Sequence, residues 1–273
     1  MDWLQALLLG ILQGIAEFLP ISSDGHLELG KALLKVEGAD NLLFTLVVHG
    51  ATVLATLFVF WREIMRLLKG TFKFKMNEET QFVIKLIISM LPVLIVCFFM
   101  MDWVESFFNG DIAFVGYMEL LTAAFLFAGH FLGKRQLSKP LTYGNSFILG
   151  IAQAMAVMPG LSRSGTTIAT GMMLGIDKKK LAEFSFLMVI VPIIGANAKE
   201  MLDLNSAAPE AGVASLTAGV GALELIVGFI AAFVTGLFAC SWMINMVKKG
   251  KLIWFAIYCV VVGLAAIIVG SLQ

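Results

Sequence analysis

The sequence predicts an all-α polytopic membrane protein: six transmembrane helices plus two re-entrant helical hairpins in an inverted-topology repeat. Three observations predict it. The 273-residue chain is 59% hydrophobic and only 14% charged, with mean hydropathy +0.92. Soluble domains lie nearer ~45–50% apolar and ~25% charged. One unusual segment occurs twice: Leu9-Gly10-Ile11, Gln13, Ser22 and Gly25 return, at one constant offset, as Leu149-Gly150-Ile151, Gln153, Ser162 and Gly165. The basic residues gather in loops that all fall on one side of the predicted spans.

Residues 3–19 begin the chain with an apolar run too short to cross a bilayer, which needs about 20 apolar residues. Asp2 stands where a secretory signal would carry basic residues, and Gln13 and Glu17 interrupt the run, so no cleavable signal is expected. Pro20-Ile21-Ser22-Ser23-Asp24-Gly25-His26 then turns the chain into a second short helical run, giving the first hairpin. Crossings follow at 42–61, 82–101 and 112–133. The longest polar stretch, about 66–81, reads as a loop. Residues 146–158 and the turn Pro159 to Thr167 form the second hairpin, and crossings at 181–199, 217–243 and 252–271 complete the chain.

The expected domain organisation is one membrane domain of two repeats, 1–139 and 140–273. Each half holds a hairpin and three crossings. Three is odd, so the second half enters from the opposite side, and the hairpins approach each other from the two faces. Phe44-Thr45 and Phe184-Ser185 echo the same offset.

All but four of the 19 Lys+Arg lie at 62–85, 134–139, 178–180 and 248–251. The positive-inside rule assigns those loops to the cytoplasm and both termini to the outside. A net charge of zero gives no bulk attraction to nucleic acid. Cys97, Cys240 and Cys259 sit inside apolar runs and read as packing residues.

The repeated segments carry groups that lipid tolerates poorly. A charge at the bilayer centre costs roughly 2.5–3.5 kcal/mol on insertion scales, so it is seldom retained without use. Gln13 and Glu17 are four apart and share a helix face beside Gly10 and Gly14. The second copy has Gly150, Gln153, Ala154 and Val157 there, so the carboxylate occurs once. Glu17 can act as a base, hold a cation or accept hydrogen bonds from the turn. The Ser22–His26 turn can open a helix whose N-terminus favours an anion, and His26 can serve as base, acid or nucleophile. In the second turn Arg163 offers a fork of donors matched to phosphate. Ser162, Ser164 and Thr167 add hydroxyls, which makes a phosphate cradle. Pairing of Arg163 with Glu17 is compatible with that reading. His49 reads as a site residue or as a satisfied core histidine, and His130 as structural.

Through Q-G-I-A-E-F-L-P-I-S-S-D-G-H at 13–26 and P-G-L-S-R-S-G-T-T at 159–167, the chain resembles the undecaprenyl-diphosphate phosphatase family linked to bacitracin resistance. The order of spans matches too, so the resemblance covers essentially the whole chain. It implies hydrolysis of undecaprenyl diphosphate to undecaprenyl phosphate plus inorganic phosphate. The expected place is the outer face of the bacterial inner membrane, where this recycles the cell-wall lipid carrier. Glu17, Ser23, His26 and Arg163 fall on catalytic positions, and Ser22, Ser162, Ser164 and Thr167 on substrate-binding ones. Gln13 and Asp24 join the substrate-binding set as departures. Gln13 cannot supply a full negative charge to a metal, and Asp24 replaces the common Thr or Ser, either restoring charge or orienting His26. Glu17 is the expected ligand of a divalent cation, Mg²⁺ or Ca²⁺. The nucleophile is Ser23 activated by His26, His26 itself, or water. Expected partners are the polyprenyl diphosphate substrate and membrane lipids, with a homodimer as one mode of assembly. The rival class is a polyprenyl-phosphate transporter or flippase using the same cradle. Glu17 and His26 beside two serines favour chemistry over transport.

Overall fold

The computed structural model describes residues 1–36, 42–107, 111–133, 138–199 and 220–272. Their regular structure is helical apart from one isolated parallel bridge, Lys139 to Ile176. Helix α1 (Trp3–Ala16) starts at a reciprocal cap. Asp2 Oδ1 accepts from the Gln5 amide at 2.8 Å, and the Gln5 side chain accepts from the Asp2 amide at 2.8 Å. A turn leads to α2 (Ser23–Leu33). Helices α3 (Leu42–Val59) and α4 (Trp61–Thr71) meet at Phe60 with a 68° bend. Next come α5 (Glu78–Phe99), capped by Asn77, the short α6 (Met101–Glu105) and α7 (Ile112–Gly133). In the second half, α8 (Tyr143–Met155) is capped by Thr142 and α9 (Arg163–Met173) by Ser162. Asp177 caps α10 (Lys178–Lys199), which loosens at Val189. Helix α11 (Ala222–Lys249) stops at left-handed Gly250, and α12 (Ile253–Ser271) follows.

Helices α5, α7, α10, α11 and α12 are long and apolar enough to cross a membrane, and α3 with α4 makes a sixth if the bent pair counts as one span. The protein is a multi-pass membrane protein. The expected loop at 66–81 needs correction, because its first part belongs to α4. Trp61, Arg62, Arg66 and Lys69 are exposed there while Leu67 and Gly70 are buried. The charges recur at helical spacing on one face, so a polar count mistakes an amphipathic helix for a loop. The crossing expected at 217–243 begins at Ala222, and residues 217–219 lie outside the described ones. So do Lys134 and Arg135 of the basic loop at 134–139. Cys240 and Cys259 are buried as expected of packing residues; Cys97 is exposed.

Small residues set how closely the short helices dock. A Cβ on Gly10 of α1 would come within 2.5 Å of the Gly228 carbonyl on α11. A Cβ on its repeat mate Gly150 would collide with the Ser89 backbone on α5. Close backbone approach of this kind is the usual way helices associate in lipid. Both short helices are thereby fixed on long ones. The turns that follow them are brought together over an aromatic floor of Phe18, Phe60 and Phe186, with centroids 6.3 Å apart for Phe18–Phe186 and 5.9 Å for Phe60–Phe186.

Candidate active site

Glu17 stands at the end of α1 with its side chain only 8% exposed, and it gathers donors from both turns. Gln13 Nε2 donates to Oε2 at 2.9 Å, the i, i+4 contact expected on one helix face. Ser23 Oγ, at the start of α2, donates to the same oxygen at 2.8 Å. Arg163 Nη2, from the first residue of α9, donates to Oε1 at 3.1 Å. Segments 146 residues apart thus close on one carboxylate, and Ser164 Oγ ties them again by donating to the Leu19 carbonyl at 3.1 Å.

The backbone at the two turns is unusual where the side chains need it. Ser22, just before α2, has φ +57°, a left-handed conformation that costs a non-glycine residue of order 1–3 kcal/mol and is often found at functional sites. Gly160 has φ +88°, and a Cβ there would press on the Val115 backbone of α7, so glycine is required twice over. Ser162 follows in extended conformation. Its amide donates to Thr122 Oγ1 at 3.0 Å, and its hydroxyl accepts from the Gly165 amide at 3.1 Å.

These contacts border a narrow, partly open cavity between the two turns. Glu17, Ser22, Ser23, Asp24, Ser162, Arg163, Ser164 and Thr167 line it, so eight of the residues singled out by sequence share one wall. Several hydroxyl hydrogens there are already engaged: Thr167 Oγ1 donates to the Arg163 carbonyl at 2.8 Å, and Ser164 to Leu19 as above. Gln13 lies behind that wall, completely buried, with Oε1 lacking a hydrogen-bond partner.

His26 goes elsewhere and does not line the cavity. Its Nδ1 lies 2.8 Å from the Ser22 carbonyl and its Nε2 2.8 Å from the Tyr258 hydroxyl on α12. The strained Ser22 starts α2 at a rotation that turns this ring toward α7 and α12, where Glu119 Oε1 lies 3.5 Å from Nδ1. The expected pairing of His26 with Ser23 is therefore replaced by Glu17 with Ser23.

The imidazole beside the carboxylates is His49 of α3. Its Nε2 is 3.2 Å from Asp24 Oδ1 and 3.7 Å from Glu17 Oε2, and its Nδ1 is 2.9 Å from the Thr45 carbonyl. Asp24 thus orients His49 and not His26. Thr52 and Thr56 line the cavity from the same helix. The spacing of His49, Thr52 and Thr56, one polar stripe on an otherwise apolar helix, was the available signal for this wall. Gln153 of α8 and Ser185 of α10 also line the cavity, and each is the repeat mate of a polar residue in the first half, Gln13 and Thr45.

Among the described residues no three His, Cys, Asp or Glu side chains converge as a metal cage. The cavity lining offers two carboxylates, Glu17 and Asp24. Both are oxygen donors of the kind Mg²⁺ and Ca²⁺ accept.

A family model described as bacitracin resistance protein BacA matches residues 6–265. The undecaprenyl-diphosphatase of Bacteroides thetaiotaomicron is 53% identical over 268 residues, covering 98% of this chain and 99% of that one. The undecaprenyl-diphosphatase of Bacteroides fragilis is 52% identical over 273 residues and covers both chains completely. A more distant relative of the same name, from Methanosphaera stadtmanae, is 35% identical over 284 residues, 98% of each chain.

Proposed function

The chain belongs to the bacitracin resistance protein BacA family, and from that premise we propose that it is a phosphatase that hydrolyses undecaprenyl diphosphate to undecaprenyl phosphate and inorganic phosphate. The observation that carries this reading is the Ser23–Glu17–Arg163 linkage: a hydroxyl, a base and a phosphate-matched cation on one carboxylate, drawn from both motifs.

Phosphoryl transfer chiefly needs positioning and neutralisation of charge on the transferred group. Arg163 supplies the charge. Ser23 Oγ attacks the terminal phosphorus and passes its proton to Glu17. The bond from that phosphorus to the bridging oxygen breaks, and the lipid monophosphate leaves with the electron pair. That leaving group is already acidic, so no strong general acid is required. Glu17 gives that proton up to the departing monophosphate, then deprotonates a water that attacks the phosphoserine, and returns the second proton to Ser23 Oγ as inorganic phosphate is freed. His26 acts at one remove: it holds the Ser22 carbonyl and so fixes the turn that aims Ser23. A divalent cation carried in on the diphosphate would be held by Glu17, whose carboxylate Gln13 steadies from behind, and would supply further charge neutralisation. One carboxylate plus substrate phosphates is a sufficient set for Mg²⁺.

The two short-helix pairs are read as re-entrant hairpins of two inverted repeats, 1–139 and 140–273. The docking of α1 on α11 and of α8 on α5, its repeat counterpart, supports this. The enzyme is read as lying in the bacterial inner membrane with the site open to the outer face, and the one-sided distribution of the basic loops supports that orientation. Phosphate release from farnesyl diphosphate by the purified protein in detergent tests the function. Intact lipid binding without release would favour a transporter built on the same cradle.

A further inference from the structure

We propose that Gln153 and Ser185 hold the lipid-proximal phosphoryl group, so that the diphosphate lies with its terminal phosphorus at Ser23 and Arg163 and its lipid end on α10. This assignment rests on the phosphatase reading above and adds the direction in which the substrate lies.

Two buried groups point to it. Gln153 is 2% exposed and its Nε2 has no hydrogen-bond partner; Ser185 is 5% exposed and its Oγ has none. Both line the cavity. Unpaired buried donors are costly and call for a ligand or water. The contrast with their neighbours is sharp. The hydroxyls of Thr52, Thr56, Ser164 and Thr167 all donate to backbone carbonyls, at 2.8, 2.9, 3.1 and 2.8 Å. Gln153 and Ser185 hold donors in reserve on a part of the wall, α8 and α10, that contributes no charged lining residue.

The chemistry of the product explains neutral donors there. A phosphate ester is rich in acceptors and binds N–H and O–H groups readily. Charge-assisted bonds are roughly twice as strong as neutral ones, so a guanidinium suits the group being transferred and neutral donors suit the group that must depart. The lipid follows from the same helix. Val189 and Ile193 line the cavity one and two turns beyond Ser185, with Phe186 beside it. A chain whose phosphate bonds to Ser185 passes directly onto that apolar stripe.

Product inhibition separates the two ends. Purified Gln153→Met and Ser185→Ala are compared with wild type using farnesyl diphosphate as substrate and farnesyl monophosphate or inorganic phosphate as inhibitor. Each variant should raise the inhibition constant of farnesyl monophosphate, and the KM, by about fivefold for one lost hydrogen bond. Inhibition by inorganic phosphate should be unaltered. Arg163→Lys should do the reverse, weakening inorganic phosphate more than farnesyl monophosphate. Ser185→Thr keeps a hydroxyl and should restore wild-type inhibition, which a mere packing defect would not allow. Unchanged farnesyl monophosphate inhibition in both variants, or equal weakening of both inhibitors, would overturn the assignment. A wild type that releases no phosphate would instead overturn the phosphatase reading.

Discussion

Ser23→Ala and Glu17→Gln, made singly and together, probe the linkage at the centre of the site. The Ser23 hydroxyl donates at 2.8 Å to a carboxylate that is 8% exposed. A hydrogen bond to a charged group contributes about 1.5–3 kcal/mol, or roughly 10–150-fold in rate if only positioning were lost. General-base catalysis adds about 10²–10⁴-fold. Each single change should therefore lower kcat by about 10³-fold. Both changes disable one event, attack by a deprotonated serine, so their effects should not multiply. The double variant should match the worse single one and not show a loss near ~10⁶. Initial rates of phosphate release from farnesyl diphosphate in detergent measure this, with melting temperatures checking that the fold survives. Additive losses would mean that the two residues act in separate steps. A Ser23→Ala enzyme with more than a tenth of wild-type activity would refute the nucleophile assignment.

Three further outcomes follow from the same geometry. Arg163→Ala should reduce kcat/KM by about 10³-fold, because a preorganised donor to developing charge is worth several kcal/mol. Arg163→Lys should recover only part of it, since the fork of donors is lost. His26→Gln should cost about tenfold, by loosening the Ser22 turn, and should leave the shape of the pH–rate profile unchanged, where a catalytic histidine would remove one limb. Asp177, outside the membrane spans, caps α10 through the amides of Lys179 and Lys180. Asp177→Ala should lower stability by about 1 kcal/mol in thermal unfolding. The Lys180 amide, with the Ser138 hydroxyl, holds its carboxyl below the ordinary carboxylate value. That contribution is present above the unfolded pKa and is lost as pH falls through the folded one, so the gap between wild type and Asp177→Ala should narrow in acid.

Much of this architecture was legible in the sequence, because a segment that recurs at a fixed offset marks its own counterpart. The recurrence of Gln13, Ser22 and Gly25 located both turns, and Arg163 was visible as a charge that lipid would not tolerate. What stayed hidden depended on the rotation of α2 about its axis. His26 lies three residues after Ser23, and nothing in that spacing states that Ser22 takes φ +57° and turns the ring toward Tyr258. His49 stayed ambiguous because one polar residue on an apolar helix does not say which face meets the site; only Thr52 and Thr56 on the same stripe do. Glu119, buried in α7 near His26, is masked in the sequence by the long apolar run around it. Helix α4 is hidden in the sequence because charge content is a poorer guide than its period.

The most direct test is single-turnover trapping with radiolabelled diphosphate substrate, followed by acid quench and peptide mapping. Transfer to the hydroxyl next to Glu17 predicts an acid-stable phosphoryl group on Ser23, absent in Ser23→Ala. An acid-labile adduct on a histidine would contradict it.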